Sequence, residues 1–285
     1  MRGSFNFNDK SFAVYGLGLT GKSVVKFLKK NKVNKISTWD DNLFKKNLKL
    51  KKNFRTKLNT VNYIILSPGI NIKKSKFKKL LVKHKKKIIT DLDLFFLKNK
   101  VKKSIIITGT NGKSTTCSLI HHILKKNKIK NKLAGNIGKP VLDLKFEKDC
   151  IYVIEASSFQ LEYSNFIKPY CAAVLNISQD HLDWHGTKKN YIKSKIKIFN
   201  NQTKNDIAYL NDINLKKIYK KNNFRGKLRF LKKNDIKFEK HQNRYLQLEA
   251  NKDNVMFAYF ITKLFQINKK KFFKSLTIIF SSINE

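Results

Sequence analysis

The amino-acid sequence predicts an α/β protein of two domains with parallel sheets, and three observations carry that prediction. Short apolar, β-branched runs alternate with lysine-rich helical stretches along the chain. Two of those runs, Phe12-Ala13-Val14-Tyr15 and Ile105-Ile106-Ile107, break directly into glycine loops that open helices, which is how anion-binding turns are built. The length of 285 residues suits two cores of ordinary size.

Composition narrows the class. A hydrophobic fraction of 41% fits a soluble globular chain, and no apolar run approaches the ~20 residues of a membrane span. The start, MRGSFNFNDKSF, lacks the apolar centre of a signal peptide, so a cytoplasmic protein is expected. The formal net charge of +43 invites a nucleic-acid reading. Against it, arginine occurs only at Arg2, Arg55, Arg225, Arg229 and Arg244, and the lysines are spread along the chain. Solvated surface lysines with some non-specific polyanion binding are expected, and no specific nucleic-acid partner. Cys117, Cys150 and Cys171 form no C-x-x-C pair and read as buried free thiols.

The first unit opens with the strand Phe12 to Tyr15 and the loop Gly16-Leu17-Gly18-Leu19-Thr20-Gly21, leading into a helix through about Leu28. This is G-x-G-x-x-G between a strand and a helix, with Asp40 and Asp41 about 20 residues beyond, where a ribose partner is expected. It fits a dinucleotide site, a nucleotide-sugar site, or a tight turn needed only for packing. Further strands are expected at Ile36 to Trp39 and Val61 to Leu66, the latter ending in Ser67-Pro68-Gly69-Ile70, a ligand contact or a simple β-turn. The unit is expected to finish near Asp91 to Lys103.

The second unit centres on Ile105 to Thr116, IIITGTNGKSTT. Gly109 and Gly112 let backbone N–H groups turn inward, Lys113 can reach terminal phosphates, and Ser114 or Thr115 can ligate Mg²⁺. Ile107 takes the place of the first glycine of the full G-x-x-x-x-G-K-[ST] pattern, so the motif is a shortened P-loop; a strand, turn and helix with a chance lysine is the alternative. His121 and His122 diverge by about 100° on a helix and read as structural. Ala134 to Pro140 offers close backbone approach to a ligand or a plain loop. The strand Ile151 to Glu155 ends in a carboxylate suited to holding Mg²⁺ opposite a phosphate loop, and Ser157, Ser158, Phe159 and Gln160 follow it. A strand over 172–177 delivers Asp180-His181-Leu182-Asp183-Trp184-His185-Gly186, a metal or acid/base candidate. Tyr191 and Lys195, at i and i+4, share one face of a helix over 190–199. Beyond Asn200 only short strands near 207–210 and 228–231 are legible, before a helix over 251–260 with Asn251 and Asn254 one turn apart.

Together these segments resemble the Mur ligases, and among them the D-glutamate-adding branch. The motifs are GLGLTGKS at 16–23, SPGI at 67–70, TGTNGKST at 108–115, GNIG at 135–138, EASSFQLE at 155–162, DHLDWHG at 180–186, YIKSKIKIF at 191–199 and NKDN at 251–254. The resemblance implies a Rossmann-like N-terminal domain over 1–96 and a P-loop-type α/β ATPase central domain over 97–285. It implies ATP-dependent ligation of D-glutamate to UDP-N-acetylmuramoyl-L-alanine through an acyl phosphate, in peptidoglycan synthesis, by a monomer. By similarity Gly109, Thr110, Asn111, Gly112, Lys113, Ser114 and Thr115 hold ATP, and Asn251 and Asn254 face its adenine. Lys113, Glu155, His181 and Lys195 carry the catalysis. Ser114 and Glu155 serve one Mg²⁺; His181 and a carbamylated Lys195 serve another. Leu19, Thr20, Asp40, Ser67, Pro68 and Gly69 receive the uridine and diphosphate, and Asn136, Ser157 and Ser158 the muramoyl-peptide end. Two departures stand out. Ala250 occupies a position where the family usually has His, and the chain stops about where a third domain should begin, with SLTIIFSSINE in place of the expected junction turn. A truncated, impaired ligase without its C-terminal domain is therefore expected. The alternatives are a non-catalytic nucleotide- or polyanion-binding fragment, or a related Mur or folylpolyglutamate-type ligase with another substrate.

Overall fold

A computed structural model describes residues 5–99, 101–232, 235 and 249–277, with the side chains of residues 249, 250 and 277 outside that description. The effect of Ala250 and the residues of the tail from 278 onward lie outside the described residues.

The chain divides into two compact units. The first comprises residues 1–100 together with 140–145 and 158–167; the second takes 101–139, 146–157 and 168–285.

The first unit runs β1 (Ser11–Tyr15), α1 (Leu19–Lys30), β2 (Lys35–Trp39), α2 (Leu48–Thr60), β3 (Tyr63–Leu66), α3 (Lys78–Lys83), β4 (Ile88–Ile89) and α4 (Asp91–Lys98). Its sheet is ordered β2-β1-β3-β4 and every pairing is parallel. Helices therefore cover the sheet, and β1 and β3 read as nearly continuous apolar runs because both faces are buried. One face packs Phe12, Val14 and Ile65 against Val24 and Leu28 of α1. On another side Tyr15, Trp39, Phe54 and Phe77 form an aromatic cluster, with Phe54 and Phe77 ring centroids 5.4 Å apart. The strand expected over 61–66 begins only at Tyr63, because Val61 caps α2 by donating its N–H to Lys57 O.

Two later segments complete this unit. The turn Val141–Asp143 and α6 (Ser158–Tyr163) belong to it, although the chain between them does not. Asp93, fully buried in α4, explains why 158–167 is held here: its carboxylate accepts the N–H groups of Asn165 (2.9 Å) and Phe166 (2.6 Å) as well as that of Thr90 (3.0 Å). Asp91 beside it accepts from Gln160 Nε2 at 3.2 Å. Burial pushes both carboxyls up to about 6.

The second unit contains β5 (Ser104–Thr108), α5 (Lys113–Lys126), β6 (Asn131–Gly135), β7 (Ile151–Glu155), β8 (Cys171–Val174), α7 (Leu182–His185), α8 (Lys188–Ile196), β9 (Ile207–Leu210), α9 (Ile213–Lys221), β10 (Lys227–Phe230), α10 (Glu249–Lys263) and α11 (Lys269–Thr277). The sheet order is β10-β9-β8-β5-β7-β6, again all parallel. β5 and β7 are central and buried at every position. Parallel strands put all their carboxyl ends on one edge, so the loops after β5, β7 and β8 converge there. α5 and α10 bury a shared apolar seam that includes Cys117, Ile120, Leu124, Val255 and Ala258. The three cysteines are free and buried. His121 pairs with Asn131, and His122 with the backbone oxygen of Ser275, so each histidine has its own structural partner. Among the described residues no helix is long and apolar enough to cross a membrane.

Candidate functional site

The carboxyl end of β5 begins the site. After Thr108 the loop 109–112 turns into α5, and its glycine at the helix start, Gly112, has φ +78°. That left-handed conformation aims the free N–H groups of the first helical turn at one point. A side chain is excluded there for a second reason: a Cβ on Gly112 would lie 2.1 Å from Oδ1 of Asn254.

The loop is fixed by the strand beside it. Asn176 accepts the Asn111 N–H on Oδ1 at 2.9 Å, donates from Nδ2 to Asn111 O at 3.0 Å, and its own backbone oxygen accepts the Thr110 N–H at 3.0 Å. This is why β8 ends at Val174 rather than continuing to Ile177: the polar groups of Asn176 serve the loop, not a ladder. Asn176 was not expected as a site residue; an amide closing an apolar strand is the only signal the sequence offered. Thr110 adds a second tie, since its Oγ1 accepts the Ser178 N–H (3.1 Å) and lies 3.2 Å from the Tyr191 hydroxyl.

Lys113 donates to Thr110 O at 2.7 Å, across the mouth of the loop. Ser114 donates from Oγ to Glu155 Oε2 at 2.7 Å, joining the start of α5 to the end of β7. Asn136, the residue after β6, reaches the same carboxylate, donating from Nδ2 to Oε1 at 2.8 Å, while its N–H donates to Glu155 O at 2.9 Å. Glu155 is only 1% exposed, a buried carboxylate with hydroxyl and amide partners. Thr115 is half-buried in the first turn of α5.

Lys195 is buried in α8 and donates to Gly109 O at 2.7 Å. Its Nζ stands 4.6 Å from the Tyr191 ring centroid. Burial, aided by the nearby Lys113 charge and opposed by Asp180, brings its pKa down to about 7. His181 flanks the other part of this group. It adopts φ +50°, is exposed, and sits 3.4 Å from Asp180 Oδ2, with its ring centroid 6.2 Å from that of Tyr191. His185 is instead buried against Trp184 and Tyr191. Tyr191 thus borders Thr110, Lys195, His181 and His185 at once, a role that its spacing from Lys195 only hinted at.

Asn251 and Asn254 are both buried, and Asn254 donates to Asn251 Oδ1 at 3.1 Å. Ser157 is buried at the end of a second-unit segment, and Ser158 begins the segment assigned to the first unit.

In the first unit the glycine loop 16–21 follows β1. Gly21 packs so closely that a Cβ would meet Gly16 O at 1.8 Å. Ser67 donates to the same Gly16 O at 2.7 Å, so the SPGI turn, with Pro68 and Gly69 following, buttresses the loop. Asp40 spans two loops: Oδ2 accepts the Leu17 N–H at 2.7 Å, and Oδ1 those of Asn42 (2.9 Å) and Leu43 (3.2 Å). The Leu17 bond leads the effects that hold its pKa below the usual value. Asp41 turns to Tyr15 Oη (2.6 Å) and Trp39 Nε1 (3.0 Å), so the two adjacent carboxylates serve different ends. Leu19 is 83% exposed at the head of α1, with Thr20 half-buried next to it.

Residues 107–278 match the Mur ligase middle domain. The chain belongs to the Mur ligase family. This Mur ligase chain is 42% identical over 205 residues to the UDP-N-acetylmuramoylalanine–D-glutamate ligase of Wolbachia pipientis wMel, covering 68% of the chain and 40% of that protein. It is 34% identical over 301 residues to the enzyme of the same name from Rickettsia prowazekii (strain Madrid E), covering 95% of the chain and 66% of that protein. It therefore spans between 40% and 66% of the length of these two curated relatives. Among solved structures, UDP-N-acetylmuramate:L-alanyl-gamma-D-glutamyl-meso-diaminopimelate ligase from Neisseria meningitides superposes with a TM-score of 0.61 at 12% identity, over 94% of this chain and 98% of that one. At that identity the likeness is one of fold.

Proposed function

We propose that this Mur ligase chain takes part in ATP-dependent ligation of D-glutamate to UDP-N-acetylmuramoyl-L-alanine, in the cytoplasm, during peptidoglycan synthesis. The observation that carries the reading is the grouping of Lys113, the Ser114–Glu155 pair and buried Lys195 around one glycine loop at the carboxyl edge of the sheet. Similarity to the two D-glutamate ligases supports the substrate assignment.

The chain's own residues account for the phosphate half. Loop and helix-start N–H groups receive the phosphates of ATP, and Lys113 exchanges its bond to Thr110 O for a phosphate oxygen. The substrate carboxylate attacks the γ-phosphorus, the bond to ADP breaks, and an acyl phosphate forms; the amine of D-glutamate then displaces phosphate and gives up a proton. Negative charge accumulates in the first step, so fixed donors and cations supply most of the acceleration.

The donor set fits Mg²⁺. A hydroxyl and a buried carboxylate already 2.7 Å apart are hard oxygen ligands, so Ser114 and Glu155 would hold the ion, which when bound neutralises phosphate charge. Lys195 suits carbamylation. With its pKa near 7, a substantial share of the amine is uncharged at neutral pH and free to bond the carbon of CO₂, releasing one proton and leaving an anionic carbamate. His181, across the Tyr191 ring, would join it at a second ion. In the first unit, Leu19, Thr20, Asp40 and Ser67 to Gly69 would receive the uridine diphosphate. Asn136 and Ser157 of the second unit, with Ser158, would receive the muramoyl-peptide end.

Calorimetric titration of the chain with Mg²⁺ and a non-hydrolysable ATP analogue, and separately with UDP-N-acetylmuramoyl-L-alanine, tests the reading. Saturable binding of both ligands is expected. Affinity for a folate substrate in place of the UDP-sugar would overturn the substrate assignment. Lys195 is checked with ¹³CO₂, where a carbamate carbon signal absent from Lys195→Met is expected.

A further inference from the structure

We propose that the amino edge of the six-stranded sheet is a docking surface for an anionic phospholipid bilayer, opposite the edge that carries the phosphate loop.

In a parallel sheet every strand starts on one edge, so residues scattered along the sequence are gathered there by the topology. Five adjacent strands of the second unit, β9, β8, β5, β7 and β6, are each entered through lysine: Lys204, Lys168, Lys102 with Lys103, Lys148 and Lys128. In β6, β7, β8 and β9 the lysine stands three positions before the first strand residue. All of these side chains are exposed. Neighbouring strands lie ~4.8 Å apart, so the row is about 19 Å long with a cation at every step. Little opposing charge faces it among the described residues. Glu147 is held by Lys130 and Lys132, and Asp206 is buried while accepting the N–H and hydroxyl of Thr203, which leaves Asp149. Acidic residues gather instead beyond the strand ends, at Asp180, Asp183, Asp212 and Asp235. The unit is thus polarised across its sheet, a segregation that an excess of lysine in the composition does not by itself produce.

What meets such a row is a surface and not a strand. Nucleic-acid channels set their cations along a groove that tracks the backbone; here the lysines project from one edge. Half-buried aromatic rings sit among them. Tyr170 lies two residues past Lys168 with its ring 6.2 Å from that of Phe265, and Lys103 Nζ is 5.9 Å from the Phe265 centroid. Lysine beside Tyr and Phe is the chemistry of a headgroup layer, where the ammonium meets lipid phosphate and the ring enters the boundary with the acyl chains. Each lysine that reaches an anionic leaflet multiplies partitioning by about fivefold, a gain that salt screens. The strand β5 is five residues long, so the phosphate loop lies roughly 15 Å from this edge and stays open to nucleotide when the edge is docked.

Flotation of the full 285-residue chain with phosphatidylcholine vesicles, with or without phosphatidylglycerol, tests the proposal at about 0.15 M salt. Wild type is expected to float only when phosphatidylglycerol is present. The edge variant Lys102→Glu/Lys168→Glu/Lys204→Glu is expected to lose at least about a hundredfold in partitioning. Its control, Lys26→Glu/Lys52→Glu/Lys79→Glu, makes the same change of net charge on exposed helix positions of the first unit and should lose less than about fivefold. The variant Lys102→Gln/Lys168→Gln/Lys204→Gln, expected to lose at least about tenfold, serves if charge reversal disturbs folding. Equal losses in the edge and control variants would reduce the binding to bulk charge and overturn the proposal, as would failure of wild type to float with phosphatidylglycerol. Single-stranded polyuridylate bound more tightly than the vesicles at equal phosphate concentration, and released by the edge substitutions alone, would overturn it by assigning the row to nucleic acid.

Discussion

Substituting Gly112 and Asn254 separately and together gives a thermodynamic measure of how tightly loop and helix are fitted. In Gly112→Ala the backbone at φ +78° must accept a Cβ, which costs about 1–2 kcal/mol. The new methyl also lies 2.1 Å from the Asn254 oxygen, and forcing such a contact in a packed region costs about 1–3 kcal/mol more. The single variant should therefore lose about 2–5 kcal/mol. Asn254→Ala forfeits the bonds to Thr116 and Asn251, for roughly 1–3 kcal/mol. In the double variant the clash has no second partner, so the combined loss should fall short of the sum by about 1–3 kcal/mol. The chain has two tryptophans, Trp39 in the first unit and Trp184 in the second. Urea unfolding followed by Trp184 fluorescence in a Trp39→Phe background reports on the relevant unit. Losses that add to within about 0.5 kcal/mol would show that the carboxamide does not rest on Gly112.

Other perturbations test other parts of the molecule. Gly21→Ala places a Cβ 1.8 Å from Gly16 O and should destabilise the first unit by about 3 kcal/mol or more, whereas Gly18→Ala, at φ −66° with nothing within 4 Å, should change stability by about 0.5 kcal/mol or less; Trp39 fluorescence in urea compares them. Asp91 titrates at about 6 when folded against an ordinary 3.8, so between those values the folded protein keeps a proton that the unfolded chain has released. Wild-type stability should fall through that window by up to about 3 kcal/mol from this group, and Asp91→Asn should flatten the fall when unfolding is measured at pH 4 and pH 7.5. Lys113→Met should weaken ADP binding at least about tenfold in calorimetry, while its melting temperature stays close to wild type because the protein bond given up among the described residues is the one to Thr110 O.

Local pattern made much of this molecule readable. β5 and β7 are continuous apolar runs because they are buried on both faces; β5 is followed at once by Gly109 of its loop, and β7 ends in Glu155. Glycine spacing located both loops for the same reason: the turns demand it within a few residues. What escaped depends on partners distant in sequence. The two-residue strand β4 exists only because β3 is there to pair with it, and β6, NKLAG, has no strand signal apart from its ladder with β7. α9 lies in a basic, Asn-rich stretch where lysines hide the apolar positions Leu215 and Tyr219 that bury it. Asn176 and Asn254 are 65 and 142 positions from the loop residues they support, and a carboxamide carries no mark of which backbone it will meet. Asp40 and Asp41 are adjacent and chemically identical, yet one bridges loops and the other anchors a tyrosine and a tryptophan.

The assignment of residues 140–145 and 158–167 to the first unit has a bearing on how the chain comes to be folded during synthesis. A ribosome that has released only the first hundred residues has made every strand of the four-stranded sheet, yet Asp93 still lacks the N–H groups of Asn165 and Phe166, and Leu142 and Phe166 are not yet there to pack on its core. The nascent sheet must wait, with the Asp93 carboxylate bonded to Thr90 but short of two N–H partners, for about 65 more residues to emerge, and those residues include the phosphate loop itself. Maturation of the two units is thus forced into overlap in time, and an amino-terminal fragment ending at residue 100 should emerge as a loose, protease-sensitive species rather than a free-standing domain.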